Sequence, residues 1–403
     1  MPIFVGTGNS TFLSASSGEG VAVGLGTTTT AGRNAGVGTA RGALIYNADD
    51  NVVQVWNGSS WDQLSNSFSA TGGTTTDPGN GFRYHAFTTS GSFEISGGGG
   101  KTIEVVVVGA GGGGGSSNSG GGSDGGAGGG GGGVVLASHT FPSGTYDITV
   151  GPGGPGGSVN TTQSGNPVNQ QAGLCTPSKS APYNGDSGDP GGDSVFGANS
   201  PTPLRLTAKG GGGGGSGPNA GNEDCGGSGG GAGSGGSGTS NGGPALQPGQ
   251  NSSFAGTLTT NVGNAGGNAP GSGPFRGAGG GGAGGAGNNG SNGGPGVGGN
   301  GVTLPADWAA PLIGVNPLNP ISRVFGGGGG GGDGGPAYPG SQAPGGSGGG
   351  GVGSRQNVSG AGGQTNSGGG GGGGAGLTGR PSTSTEGRGQ PGGPGIVIVR
   401  YEL

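Results

Sequence analysis

Unbroken glycine runs, such as Gly210–Gly215 and Gly326–Gly332, restrict what this chain can fold into more than any other feature. A triple helix of the collagen kind needs glycine at every third position, because nothing larger fits its axis. These runs have no such period, and collagen is excluded. Disorder is the default outcome, since glycine loses the most backbone entropy on ordering. Order therefore needs a dense main-chain hydrogen-bond network to offset that loss. A bundle of polyglycine II helices supplies one. Each such helix has three residues per turn and rises about 3.1 Å per residue. Without side chains, neighbours approach closely enough to pair every buried N–H and C=O.

The rest of the composition narrows the reading. With 126 Gly and 27 Pro in 403 residues, hydrophobic residues fall to 26% and charged ones to 8%. Typical globular domains carry roughly 45–50% and about 25%, so a conventional core cannot run through the whole chain. The net charge of −5 argues against a binder of nucleic-acid phosphates. The longest mostly apolar run, Ile103–Val108, falls far short of the roughly 20 residues a membrane helix requires. Met1–Asn9 lacks the basic and apolar regions of a signal peptide, so the expectation is synthesis in a host cytoplasm and release by another route.

Three zones follow along the chain. Residues 1–69 form an N-terminal module with a denser patch at Gly42–Leu64, residues 70–81 read as a linker, and residues 82–403 form the glycine-rich remainder. In the first zone, Ala43–Tyr46, Val52–Trp56 and Trp61–Leu64 read as strands. The turn chemistry of Asn47–Asn51 and Asn57-Gly58 joins them, and Tyr46, Trp56 and Trp61 are candidate cross-strand aromatics. In the large zone, β-branched and aromatic runs at Tyr84–Thr89, Ser92–Ser96, Lys101–Val108, Val134–Ser138, Tyr146–Val150 and Ile396–Tyr401 suit strands. They open and close the zone, which places one small β-sandwich at both of its ends with a long glycine-rich excursion between. No segment passes the tests for a helix. The expected fold is all-β: a hairpin module, then a small β-sandwich carrying a polyglycine II bundle with loops at its ends.

The same residues carry a resemblance. Ile103–Val108 runs into Gly109-Ala110-Gly111, and a hairpin ends at Tyr146–Val150 followed by Gly151-Pro152-Gly153-Gly154. Gly191–Gly197, Leu206–Gly210 and the closing Gly392–Tyr401 complete the pattern. Across residues 82–403 it is similar to glycine-rich phage tail proteins, including the distal tail-fibre adhesins of T-even-like phages. Gly42–Asn47 through Trp56–Trp61 is similar to a short hairpin module of phage virion proteins. The resemblance implies a tail-fibre or receptor-binding protein on the virion. Residues 1–69 would join other virion proteins, and loops would touch a host polysaccharide or outer-membrane protein. The resemblance to phage fibres implies a homotrimer, whereas the resemblance to the T-even-like tip adhesin implies a single-chain cap. The alternative is a purely structural virion subunit, such as a capsid decoration or collar fibre, without receptor binding. Candidate contact loops are Pro177–Asn199, Gln247–Asn261 and Val302–Arg323, with Tyr183, Trp308 and Tyr338 as candidate receptor contacts.

No constellation points to catalysis, a cofactor or a metal. His85 and His139 stand singly, and Asp186/Asp189 or Glu223/Asp224 lie in loops that would hold a glycosidase pair poorly. The Asp186–Asp193 cluster lacks EF-hand spacing. Gly100-Lys101-Thr102 imitates the end of a phosphate loop, but Ile95 stands where the motif needs glycine. Cys175 and Cys225 could close a loop of roughly fifty residues as one disulfide. A cytoplasm of synthesis weighs against oxidation and a virion's surroundings weigh for it.

Overall fold

The computed structural model describes residues 26–36, 40–50, 52–64, 68–97, 101–117, 124–159, 186–217, 225–235, 239–270, 275–291, 293–308, 323–334, 340–377 and 384–403. The chain divides into two compact units, Met1–Ser67 and Phe68–Leu403.

In the first unit, β1 (Thr27–Thr28) is followed by a helix, α1 (Thr30–Gly36), then by β2 (Leu44–Asn47), β3 (Val52–Trp56) and β4 (Trp61–Gln63). The four strands form one sheet in chain order. The expected hairpins are there. Asn57 builds the second turn by accepting the Ser59 and Ser60 amides on its side-chain oxygen at 2.8 and 2.9 Å, and Trp56 stands opposite Trp61 with ring centroids 5.6 Å apart. The helix corrects the expectation of none. Seven residues are too few to be helical on propensity alone; α1 is held by tertiary bonds from Arg33 to Gln54 and from Asn47 to Thr30.

The second unit opens with β5 (Ser69–Thr71) and β6 (Thr74–Thr76), continues through β7 (Phe82–Phe87), β8 (Gly91–Ser96), β9 (Ile103–Val108), β10 (Val134–His139), β11 (Gly144–Thr149), β12 (Ser194–Phe196), β13 (Leu206–Ala208), β14 (Thr257–Val262), β15 (Val302–Thr303) and β16 (Val324–Phe325), and closes with β17 (Ile396–Glu402). A six-stranded sheet, β14-β10-β9-β17-β7-β6, faces a five-stranded one, β13-β12-β11-β8-β5. The residues expected to be a linker are instead edge strands of both sheets. The chain crosses from one sheet to the other at Gly72–Gly73, where φ is +111° and +62°. Only glycine adopts that pair of conformations without strain.

Phe93 and Ile95 of β8 and Tyr146 and Ile148 of β11 alternate inward, as one-sided strands do. The runs on β9 and β17 do not alternate, because both faces of these strands are buried. Val105, Val107, Val397 and Val399 enter the core between the sheets. Val106, Val108, Ile396 and Ile398 enter a second core, closed by Leu304, Trp308 and Phe325 from the segments around β15 and β16.

At the other edge, side-chain amides replace a missing strand. Thr207 on β13 donates its amide to Asn251 Oδ1 at 2.8 Å, and its carbonyl accepts from the side-chain amides of Asn251 and Gln247. Gln247 also accepts the Lys209 amide at 2.7 Å. Asn261 on β14 accepts from both, so the cap joins the edges of the two sheets.

Candidate functional site: the free end of the glycine bundle

Beyond Val108 the chain changes period from two to three. The amides of residues 109, 112 and 115 donate to 133, 130 and 127; those of 110, 113 and 116 donate to 192, 189 and 186; those of 111, 114 and 117 donate to 393, 390 and 387. The carbonyls of the same segment accept from 154 and 157, from 211, 214 and 217, and from 371 and 374. Segment 109–117 thus has six bonded neighbours, and a threefold screw directs its groups at all of them. That is polyglycine II packing. Segment 124–133 is equally surrounded, by 109–115, 209–215, 228–234, 275–281, 329–332 and 368–374. A Cβ on Gly111 would collide with the Gly369 carbonyl, and one on Gly129 with that of Gly112. The lattice therefore leaves no room for a side chain at these glycines.

The bundle grows directly out of the sandwich. β9 continues into 109–117, 124–133 returns into β10, 186–193 into β12 and 386–395 into β17, while β13 continues into 209–217. One end of every such segment is thereby fixed at the sandwich. The other end is a layer that the hydrogen bonds tie together: Ser117 to Gly387, Ser116 to Asp186, Gly217 to Ser116, Gly125 to Phe275, Ser234 to Gly125, Gly277 to Gly332, Gly376 to Asp333, and Asp333 to Ser354. About nine residues at 3.1 Å put this layer roughly 28 Å from the sandwich.

Residues with polar side chains mark that layer, and they close the lattice. Ser116 and Asp186 bond reciprocally, Ser116 Oγ to the Asp186 carbonyl at 2.9 Å and the Asp186 amide to Ser116 Oγ at 2.8 Å. Ser158 Oγ donates to the Asp186 carboxylate at 3.1 Å. Ser234 and Gly125 repeat the reciprocal arrangement. Arg276 pairs with Asp333 at 3.1 Å, both buried, and that carboxylate also accepts the amides of Gly334 and Gly340 at 2.9 Å. It holds the chain where it leaves at 334 and returns at 340. Tight turns at Ser291–Gly294 and Arg355–Val358 reverse the chain at the same end. Phe68, Leu403 and the Gly81 carbonyl that accepts the Leu403 amide lie at the opposite end of the unit, beyond the sandwich.

Trp308 is not a surface contact. It is 0% exposed, edge-on to Tyr84 at 6.0 Å, and its ring covers the Arg400 guanidinium at 4.1 Å. Phe82 covers the other side at 4.3 Å, while Glu104, Tyr84 and Asp307 take the guanidinium hydrogens. An aromatic residue in an expected loop suggested a ligand contact; its partner Arg400 lies 92 residues away on a strand, and sequence could not place them together. Gln247–Asn261 is likewise corrected: it is the edge cap and β14. The described part of Val302–Arg323 covers the six-stranded sheet. Tyr183 and Tyr338 lie outside the described residues; Asp186 and Gly340, which follow them in the chain, belong to the end layer. Cys225 is disulfide-bonded, and Cys175 lies outside the described residues.

The remaining candidates among the described residues are engaged in contacts of the fold, and Glu223 and Asp224 lie outside the described residues. Asp186 and Asp193 stand at opposite ends of one segment, Asp193 pairing with Lys209 at 2.8 Å. Among the described residues no cluster of three metal-ligating side chains occurs. Lys101 lies over the rings of Phe68 and Tyr401 and leads straight into β9, unlike a phosphate loop. His139 packs edge-on against Phe141 and Phe254. His85 is buried, bonded through Nδ1 to the Gly72 carbonyl at 2.7 Å and through Nε2 to the Tyr401 hydroxyl. Desolvation lowers its pKa.

Sandwich and lattice together define a glycine-rich all-β scaffold whose bundle runs from the sandwich to a layer of polar side chains. The chain belongs to the glycine-rich domain family, whose model matches residues 88–402. No curated protein matches it.

Proposed function

We propose that this chain is a non-enzymatic virion appendage protein, a tail-fibre or receptor-binding subunit that presents chain segments at the free end of its bundle to a host cell surface. One observation carries the reading. Phe68 and Leu403 lie at one end of the second unit, whereas segments 109–117, 124–133, 186–193, 326–334 and 368–377 all turn back at the other. Such a body can be held at one end while the other meets a target, and binding commonly resides in connections held by a rigid scaffold. The sequence that leaves and re-enters this layer, between Val159 and Asp186 above all, is richer in side chains than the bundle. Its partners in this reading are a host polysaccharide or outer-membrane protein at the free end and other virion proteins through the Met1–Ser67 unit.

The test is the full chain fused to a fluorescent protein and incubated with a panel of bacterial strains. Saturable binding that is lost when residues 176–185 are replaced by a short Gly-Ser linker, with Cys175 kept and thermal unfolding unchanged, is the expected result. Absence of binding to every strain, with the protein folded, favours the purely structural virion subunit.

A further inference from the structure

Proline is missing from the inside of the glycine lattice and recurs on its rim, at one phase of the threefold repeat. Every amide of segments 109–117, 125–133, 326–332 and 370–376 donates to a main-chain carbonyl, and none of these residues is proline. Segment 387–395 lies on the rim. Its amides at 389, 392 and 395 donate to 157, 154 and 151, and those at 390 and 393 donate to 372 and 369. Beyond Arg388, whose amide closes a turn on Thr385, the remaining set is Pro391 and Pro394. Neither has an N–H to donate. Segment 186–192 repeats the arrangement. Its amides at 186, 189 and 192 donate to 158, 155 and 152, those at 188 and 191 donate to 214 and 211, and Pro190 stands in the third set. In segment 151–157, Gly154 and Gly157 donate to 111 and 114, while Pro152 and Pro155 fill one of the two other sets. Pro152, Pro155 and Pro391 are exposed, and Pro190 and Pro394 half-buried. Elsewhere on the rim, side chains take up donors that remain. The Ser347 amide donates to Asn300 Oδ1 at 3.1 Å, that of Gly242 to Asn268 Oδ1 at 2.9 Å, and that of Asn268 to Asn289 Oδ1 at 2.8 Å.

Open amides and carbonyls on this rim would act as an unpaired edge strand does in a sheet, as a template for another chain. The partner that fits such a template is the rim of a second copy, which offers the same backbone at the same threefold repeat. We infer that the rim prolines stop the lattice from growing sideways into a second copy of this chain. Each proline removes a donor that an added segment would need. Its ring also occupies the space that the added backbone would enter, and polyglycine II packing tolerates no side chain there. The fixed φ of proline suits this helix, so the stop is built in without backbone strain. The inference is independent of what the free end of the bundle binds.

The experiment compares three full-length chains by sedimentation and light scattering over a hundredfold range of concentration. They are the wild type, a variant with Pro152→Gly, Pro155→Gly, Pro391→Gly and Pro394→Gly, and a variant with the same four prolines changed to valine. Glycine restores the donors and clears the space. Valine restores the donors but lines the rim with apolar side chains, which a second backbone cannot approach closely. Both variants lose the restraint that proline places on the unfolded chain, so weakened folding is common to both. The expected result is a glycine variant whose mass at the highest concentration is at least twice that of the wild type and falls on dilution, with the valine variant matching the wild type. Equal masses for all three overturn the inference. So does equal association of both variants, which traces to weakened folding or to general stickiness. If the fourfold glycine variant shows no cooperative melting, Pro391→Gly with Pro394→Gly, set against its valine counterpart, decides by the same comparison.

Discussion

The amide of Gly109 donates to the carbonyl of Gly133 at 2.9 Å, the next pair in line after Val108 and Val134 on β9 and β10. The sheet register passes into the lattice without a shift. The same continuity holds from Val108–Ile396 to Gly111–Gly393, from Thr149–Val195 to Pro152–Gly192, and from Ser194–Ala208 to Gly191–Gly211. Chains already aligned by strand pairing enter the bundle with their partners chosen. A featureless glycine run could otherwise slip by three residues at little cost, so the sandwich sets the bundle's register.

Interior glycines should therefore be intolerant of any side chain. Gly111→Val or Gly129→Val is expected to destabilise the second unit by about 3 kcal/mol or more, through displacement of the neighbouring helix. Gly294→Ala, where a Cβ meets nothing within 4 Å, should change stability by less than about 0.5 kcal/mol. Denaturant melts of the three variants check this.

Arg400 should matter as a latch. Arg400→Met removes the donor to Glu104 and Asp307 and the cation between Phe82 and Trp308. A loss of about 3–5 kcal/mol is expected, with Trp308 fluorescence more strongly quenched by solvent. Arg400→Lys should recover only part, because an ammonium cannot fill the planar gap between two rings.

The amide cap on β13 should protect against edge pairing. Gln247→Leu leaves the Lys209 amide without its side-chain acceptor and the Thr207 carbonyl with one donor fewer. The expected cost is about 1–3 kcal/mol. Faster aggregation on warming, followed by light scattering, should accompany it, since an uncapped edge is a template for another strand.

His85 gives the fold a dependence on acid. Its pKa in the folded chain is lowered from the ordinary 6.5 by burial, so the unfolded chain binds the proton more readily. Stability contributed by the neutral ring is present in full above pH 6.5 and is lost as pH falls from there through the lowered value. The melting temperature should drop between pH 7.5 and 5.5. In His85→Gln that slope should flatten, even though the variant is less stable at pH 7.5.

Some of this was legible in the residues. β-Branched and aromatic runs located β7 to β11 and β17 to within a few residues, and Asn57-Gly58 located a turn, because these signals are local. The third-residue pattern of the lattice had no sequence signature, since glycine at every position fits any register. The short strands β12, β13, β15 and β16 gave little signal because two or three residues carry no period. Trp308 misled for a related reason: burial is decided by what packs on a residue, and Tyr84 and Arg400 come from distant parts of the chain.

The sequence by itself determined that this chain builds a β-sandwich and a main-chain-bonded glycine lattice, because its apolar runs are few and its glycine runs admit no side-chain core. Which glycine meets which, that residues 70–81 edge both sheets, and that the bundle's segments all reach one layer away from the sandwich were decided only by tertiary structure. Each depends on partners tens to hundreds of residues apart, and the free energy that selects them arises only when those partners meet.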